Sequence, residues 1–154
     1  VALVIGGQHT TKKLPNSKLV ELCQQIKKPV VLLGDKEDVI NAVDIKVQVP
    51  RVINACGKLS LNQSALLVRG ADYVITNDTG LMHIAAAFKK KIFSVWGNTV
   101  PEFGMYPYKP HDESKIIQHK SLWCRPCSKI GYRSCPLGHF KCMNDLKIND
   151  ILGK

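Results

Sequence analysis

Short, uninterrupted runs of apolar residues recur along the chain, separated by polar loops or by stretches with helical spacing. Runs of this kind, in which apolar and polar positions do not alternate, are typical of strands covered on both faces of a parallel sheet. The predicted strands are residues 1–5, 29–33, 73–75 and 91–96, with shorter candidates at 45–49, 51–54 and 116–117.

Between these runs the apolar positions change to the spacing of helices. Leu19, Leu22 and Ile26 fall on one face of a helix that begins after Pro15. Ser60, followed three residues later by a glutamine, has the form of a capping box that starts another helix. The predicted helices lie at 16–26, 35–43, 61–69 and 81–88.

Strands that alternate with helices predict an α/β fold, a Rossmann-like doubly wound parallel sheet. In such a sheet ligands bind at the carboxyl ends of the strands. The loops expected at this edge lie near Thr10, Gly34, Asp78 and Gly97. The sequence has no Gly-x-Gly-x-x-Gly after its first strand and no Gly-Lys-Ser/Thr motif, so it lacks the fingerprints of nicotinamide and P-loop sites.

The length of 154 residues suits a single domain, 1–154, with a substantial core. No apolar run approaches the ~20 residues that span a bilayer, and we expect a cytoplasmic protein. The chain opens at Val1 inside a strand-like run without an initiator methionine, so we expect it to be a piece of a longer protein.

Positive charge is in excess and is unevenly placed. The chain carries 22 Lys and Arg against 12 Asp and Glu, a net charge of +10, which favours anionic partners. Residues 114–144 contain six Lys and Arg and no acidic residue. This segment is either a solvated basic face or a surface for an anionic partner, such as the inner membrane that the protein would contact peripherally.

The densest candidate chemistry follows the strand at 73–75, where Asp78, Thr79 and Gly80 lead into a helix. The first amides of a helix have no partner within it and attract anions, and Gly80 has no side chain to keep a ligand away. Thr79 and His83 share the helix face that looks toward the opening. The alternative is a capped junction. Asp78 would repel a diphosphate, so we expect it to accept bonds from the amides of the turn or from a sugar hydroxyl.

Two further loops supply polar groups at the same edge. Thr10, Thr11 and Lys12 follow the first strand, although hydroxyls with a lysine are also common in surface loops. Glu37 and Asp38 follow the second strand, and either the helix dipole explains them or an acid there holds ribose hydroxyls.

A cysteine-rich, basic tail segment at 119–145 has the spacing C-x2-C-x7-C-x6-C. Four thiols with one CxxC can form a tetrahedral zinc site, and a loop of reduced thiols is the alternative. The candidate ligands are Cys124, Cys127, Cys135 and Cys142. Two other cysteines, Cys23 and Cys56, lie in apolar surroundings and are expected in the core.

With these residues in view, the sequence resembles the carboxyl-terminal half of the lipopolysaccharide heptosyltransferases of glycosyltransferase family nine. The most specific run is N-D-T-G-L-M-H-I-A-A-A at 77–87, followed by a strand and W-G-N-T-V-P at 96–101. Support comes from H-T-T-K-K-L-P at 9–15 and from the Cys-x-Pro-Cys and Cys-Pro-Leu-Gly-His motifs of the tail.

The resemblance implies a two-domain GT-B enzyme that transfers heptose from ADP-heptose to a lipid-linked core acceptor with inversion and without a required cofactor. This half would bind the donor, while the general base would come from the other domain, so the fragment would bind without turnover. Glu37 would take the ribose and Leu59 would line the adenine pocket. The resemblance implies that the diphosphate is held by Thr79, Gly80, Leu81 and His83 and neutralised in part by Thr11 and Lys12. Asp78 would belong to the same turn, and Thr10 completes the predicted donor-binding residues.

A second hypothesis from a different class is a basic, zinc-stiffened module that binds nucleic acid or anionic lipid. It predicts an affinity that falls steeply with salt. Against nucleic acid, Trp123, Tyr132 and Phe140 are too sparse for a stacking platform.

Overall fold

The computed structural model describes residues 1–153. Six strands form one sheet in the order β3-β2-β1-β4-β5-β6, and every neighbouring pair is parallel. This order confirms the predicted doubly wound α/β fold, with its topological switch between β1 and β4. The strands are β1 (Ala2–Val4), β2 (Val31–Leu33), β3 (Ile53–Asn54), β4 (Tyr73–Asn77), β5 (Lys91–Trp96) and β6 (Lys115–Gln118).

The helices cover both faces of the sheet. Along β1, Leu3 belongs to one core cluster while Ala2 and Val4 belong to the other, because successive strand residues point to opposite faces. The helices are α1 (Asn16–Gln25), α2 (Val39–Gln48), α3 (Leu61–Gly70), α4 (Gly80–Ala87), α5 (Lys141–Asn144) and α6 (Ile148–Ile151). Buried residues of α1, α2, α5 and α6 join the first cluster, and those of α3 and α4 join the second.

The strand predicted at 45–49 is wrong, because these residues lie in α2 and its end. Alternation of apolar and polar residues there imitates the period of a strand. Ala42, Ile45 and Val49 are nevertheless all buried, and their spacing places them on one helical face. The helix therefore continues past residue 43, and β3 alone represents the predicted strand at 51–54.

Other local predictions are confirmed. At α3 the Ser60 side chain accepts from the Gln63 amide at 3.3 Å, and the Gln63 side chain accepts from the Ser60 amide at 2.8 Å. Cys23 and Cys56 are buried in the core, and all six cysteines are free thiols. None of the helices formed by residues 1–153 has the length and hydropathy needed to cross a membrane.

Candidate functional site

A cavity of about 730 Å³ opens at the carboxyl ends of β1, β2 and β4. It therefore lies beside the switch in strand order, where ligands of doubly wound sheets bind. Eight of the ten residues that sequence reasoning assigned to a donor line it: Lys12, Glu37, Leu59, Asp78, Thr79, Gly80, Leu81 and His83.

The amino end of α4 supplies free donors to this cavity. Within residues 1–153, neither the Gly80 amide nor the Leu81 amide has a protein acceptor. The Thr79 hydroxyl does not cap the helix and lies 3.2 Å from the Thr76 hydroxyl instead. A Cβ built on Gly80 would meet no atom within 4 Å, so this face of the helix end is open. The unpaired amides and the helix dipole together favour an anion here.

Lys12 and Asp78 form an ion pair at the edge of the cavity. Lys12 Nζ donates to Asp78 Oδ2 at 2.6 Å, and the two side chains are 12% and 6% exposed. The Thr99 hydroxyl also donates to Asp78 Oδ2, at 3.4 Å. Sequence reasoning expected Asp78 to accept from the turn's own amides or from a sugar hydroxyl. Its protein partners are instead the side chains of Lys12 and Thr99, from two other loops. The positive charge of Lys12 offsets the negative charge of this carboxylate, which lies beside the free amides of α4.

The structure separates the roles of Glu37 and Asp38, which the sequence left ambiguous. Asp38 is 1% exposed and accepts from Lys13 Nζ at 2.7 Å and from the Asp35 amide at 3.0 Å. A Cβ on Gly6 would come within 2.5 Å of its Oδ2, so the strand end needs glycine there. Both acids line the cavity, but Glu37 is exposed, whereas the Asp38 carboxylate is occupied by these two contacts. Asp38 is therefore structural, and the Glu37 carboxylate is available to a ligand.

Two threonines predicted near the diphosphate lie outside the cavity lining. Thr11 is 2% exposed, and its hydroxyl accepts from the Tyr132 amide at 2.8 Å and lies 3.1 Å from the Tyr132 carbonyl. Thr10 is exposed and starts a short 3-10 turn that ends at Lys12. Thr11 thus anchors the loop that carries Lys12, while its own hydroxyl is occupied.

Other residues of the lining were missed by sequence reasoning. Gly6, Gly7 and Gln8 come from the loop after β1, and Leu61 and Ser64 come from the start of α3. The paired glycines at the end of the first apolar run were the available signal. The capping box predicted α3 but not its place at the cavity, because its first turn reaches the cavity only through the packing of the fold.

The structure does not bring the four tail cysteines together as the predicted zinc site. Among residues 1–153, no three His, Cys, Asp or Glu side chains are placed to hold a metal ion. The Lys141 amide donates to His139 Nδ1 at 3.1 Å, so the neutral imidazole carries its proton on Nε2. His139 Nε2 lies 3.9 Å from Cys124 Sγ. Cys142 is buried, and burial raises the pKa of its thiol to about 11.

Comparison with known proteins gives concordant matches. Residues 1–137 match the family model described as glycosyltransferase family 9 (heptosyltransferase). Lipooligosaccharide heptosyltransferase 2 of Haemophilus influenzae is 33% identical over 150 residues, which cover 90% of this chain and 42% of that protein. The Campylobacter jejuni protein of the same name is 33% identical over 108 residues, 70% of this chain and 32% of that protein. The chain therefore spans less than half the length of these relatives.

The same fold occurs in a solved structure. The structure of Escherichia coli ADP-heptose LPS heptosyltransferase II superimposes with a TM-score of 0.77 at 21% identity. The match covers 99% of this chain and 44% of that one. At this identity the superposition establishes the shared fold.

Proposed function

The chain belongs to glycosyltransferase family 9, the heptosyltransferase family, and from this membership we propose that it is the donor-binding half of an inverting transferase. In the whole protein, of GT-B architecture, heptose would move from ADP-heptose to a lipopolysaccharide core acceptor. The names of the relatives support this donor and this acceptor class. The alternative of a zinc-stiffened module for nucleic acid gains no support from these matches.

The single observation that carries the proposal is the pair of free backbone amides at Gly80 and Leu81. Both residues line the cavity, as does Lys12. A nucleoside diphosphate leaving from a sugar gains negative charge as the glycosidic C–O bond breaks. Donors fixed in position before the reaction stabilise that charge in the transition state without reorganising. The helix end, Lys12, Thr79 and His83 line one cavity and would together receive this leaving group.

The rest of the cavity suits a nucleoside. Glu37 would accept hydrogen bonds from the ribose hydroxyls, since its carboxylate is exposed at the carboxyl end of the second strand. Leu59 and Leu61 would border the adenine with apolar side chains, and Ser64 would add one hydroxyl.

Inversion requires the acceptor hydroxyl to attack the anomeric carbon opposite the leaving diphosphate and to lose its proton to a base. The donor site described above supplies leaving-group stabilisation, and we assign the base to the remainder of the whole protein. The 154-residue chain is accordingly expected to bind donor without turnover.

Calorimetry with ADP, AMP and UDP tests the proposal. We expect ADP to bind at least ~10-fold more tightly than AMP, because its β-phosphate would contact the amides and Lys12 through charge-assisted bonds. UDP should bind more weakly than ADP, since the larger adenine would bury more apolar surface against Leu59 and Leu61. A folded chain that binds none of these nucleotides would refute the proposed function.

We also propose that the tail contacts an anionic membrane surface in the whole protein. Trp123 is 82% exposed and Ile130 64% exposed, and Lys120 and Lys129 are close to them in the sequence, in a segment without acidic residues. Exposed aromatic and aliphatic side chains among lysines are typical of interfacial binding. Sedimentation with anionic and neutral vesicles tests this, and equal binding to both would refute it.

Elemental analysis of the purified chain decides whether the tail cysteines carry zinc.

A further inference from the structure

Arg125 is a hub of hydrogen bonds between the cysteine-rich tail and the ends of two strands. Its Nη2 donates to the Thr99 carbonyl at 2.9 Å and to Gln118 Oε1 at 3.0 Å. Nη2 also lies 3.4 Å from the Trp96 carbonyl, Nε donates to the Gly97 carbonyl, and Nη1 donates to the His119 carbonyl. The guanidinium thereby joins the end of β5, the end of β6 and the loop after β5. Burial lowers the pKa of Arg125, yet the group stays charged at neutral pH because an arginine titrates far above it.

One of these contacts leads into the candidate donor site. Thr99, whose carbonyl binds Arg125, donates its hydroxyl to Asp78 Oδ2 at 3.4 Å, and the same oxygen accepts from Lys12 Nζ. Thr99 is fully buried, so this link is shielded from solvent. The position of the Asp78 carboxylate, and with it the position of the Lys12 ammonium, therefore depends on the loop that Arg125 holds.

The same tail segment also holds the loop of Lys12 from the other side. The Tyr132 amide donates to Thr11 Oγ1 at 2.8 Å, and the Thr11 amide donates to the Tyr132 carbonyl at 3.2 Å. Between the two anchors, the Cys127 amide donates to the Asn98 carbonyl at 3.2 Å, and the Tyr132 hydroxyl donates to the Cys127 carbonyl at 3.0 Å. Residues 125–132 thus hold the loop that carries Lys12 and the loop after β5, whose Thr99 hydroxyl donates to Asp78.

We propose that residues 125–132 form a clamp that sets the spacing of Lys12 and Asp78 at the diphosphate site, and that Arg125 is its positioning residue. The inference rests on the proposed function, because it assigns a diphosphate to that site. Arg125 itself lines no part of the cavity and acts through Thr99. Binding of the β-phosphate is sensitive to this spacing, because a charge-assisted hydrogen bond is lost over a displacement of about 1 Å.

The test compares Arg125→Gln with Arg133→Gln in the same tail. Both variants remove one positive charge, but Arg133 is exposed and makes no hydrogen bond or ion pair within residues 1–153. Calorimetry gives the affinities for ADP and AMP, and circular dichroism gives the folded fraction and Tm. We expect Arg125→Gln to weaken ADP binding by about 10-fold or more and AMP binding much less, so that the ratio of the two affinities falls. Arg133→Gln should keep that ratio.

A purely structural role for Arg125 would lower Tm and leave the ratio of ADP to AMP affinity unchanged in the folded fraction, which would overturn the inference. If Arg125→Gln does not fold, Thr99→Val decides. Valine keeps the size of the side chain and the backbone carbonyl that binds Arg125. It removes only the Thr99 hydroxyl that donates to Asp78. A reduced ratio in Thr99→Val supports the clamp, and an unchanged ratio overturns it. Absence of ADP binding to the wild-type chain would be a different failure, that of the proposed function.

Discussion

Lys12 Nζ lies 2.6 Å from Asp78 Oδ2, so the cation assigned to the diphosphate already has a carboxylate partner from a neighbouring loop. A bound diphosphate must share the ammonium with Asp78 or draw it away. Both residues line the cavity together with Gly80, the first residue of α4. Lys12 therefore serves two purposes: it neutralises a buried carboxylate and it presents charge to the ligand.

Replacing Lys12 by alanine is expected to affect both purposes. ADP affinity should fall at least ~10-fold with the loss of a charge-assisted contact, and the free energy of unfolding should fall by about 1–3 kcal/mol because Asp78 loses its partner. Calorimetry and urea denaturation measure the two effects. Lys27→Ala is the matched control. Lys27 is exposed and does not line the cavity, so its replacement removes the same charge away from the site. Equal ADP affinity in the two variants would contradict the assignment.

Glu37→Gln should weaken ADP binding with little change in stability. The carboxylate is expected to accept from the ribose hydroxyls, and its loss corresponds to about 1 kcal/mol, or roughly fivefold in affinity. The preference for ADP over 2′-deoxy-ADP should shrink in this variant, which calorimetry with both nucleotides measures. An unchanged preference would place the ribose elsewhere.

Asp38→Asn is expected to give the opposite result to Glu37→Gln. It leaves the Lys13 ammonium, 17% exposed, without its carboxylate, so the free energy of unfolding should fall by about 3 kcal/mol. Urea denaturation measures this loss. A stability equal to that of Glu37→Gln would show that the two acids are interchangeable, contrary to their different burial.

Gly80→Ala separates the needs of the fold from those of the ligand. The added methyl would meet no protein atom within 4 Å, and alanine is the better helix former, so stability should be unchanged or up to ~1 kcal/mol higher. The methyl would stand at the cavity face of the free amides, and ADP affinity should fall at least ~10-fold. A stable variant that binds ADP as well as the wild type would mean that the phosphates lie elsewhere.

Stability at alkaline pH should depend on two core thiols. Burial raises the pKa of Cys23 to about 11 and that of Cys56 to about 12, from 9.0 in the unfolded chain. Because the folded chain keeps these thiols protonated, they contribute to stability, and this contribution is fully present below pH 9. Above it the unfolded chain releases protons that the folded chain keeps, so stability falls toward pH 11–12 by up to ~1.4 kcal/mol per pH unit per thiol. Urea unfolding of Cys23→Ala from pH 8 to 10.5 should give a shallower decline than that of the wild type, and parallel declines would argue against the shift.

The sequence predicted those parts of the molecule that depend on local chemistry. Apolar runs marked β1, β2, β4 and β5, and the turn before Gly80 marked the helix end that opens into the cavity. The family resemblance drawn from residues 77–87 and 96–101 is confirmed by the family match. Each of these features is carried by residues adjacent in the chain, so a single stretch reveals it.

Features that depend on distant partners could not be predicted. Lys13 and Asp38 are 25 residues apart, and Thr11 and Tyr132 are 121 apart. Arg125 lies in a tail without periodicity, where only the three-dimensional structure shows that its neighbours are backbone carbonyls. The tail cysteines misled for a related reason, since spacing along the chain does not determine whether the thiols converge.

The most direct test of a diphosphate cradle at α4 is an amide proton–nitrogen NMR titration of the chain with ADP. We predict that the Gly80 and Leu81 amide protons move downfield, as amides do on gaining an anionic acceptor, while the amides of the matching loop after β5, at 97–99, move less. If ADP binds and the Gly80 and Leu81 resonances stay in place, the leaving group is not held by this helix end and the account is contradicted.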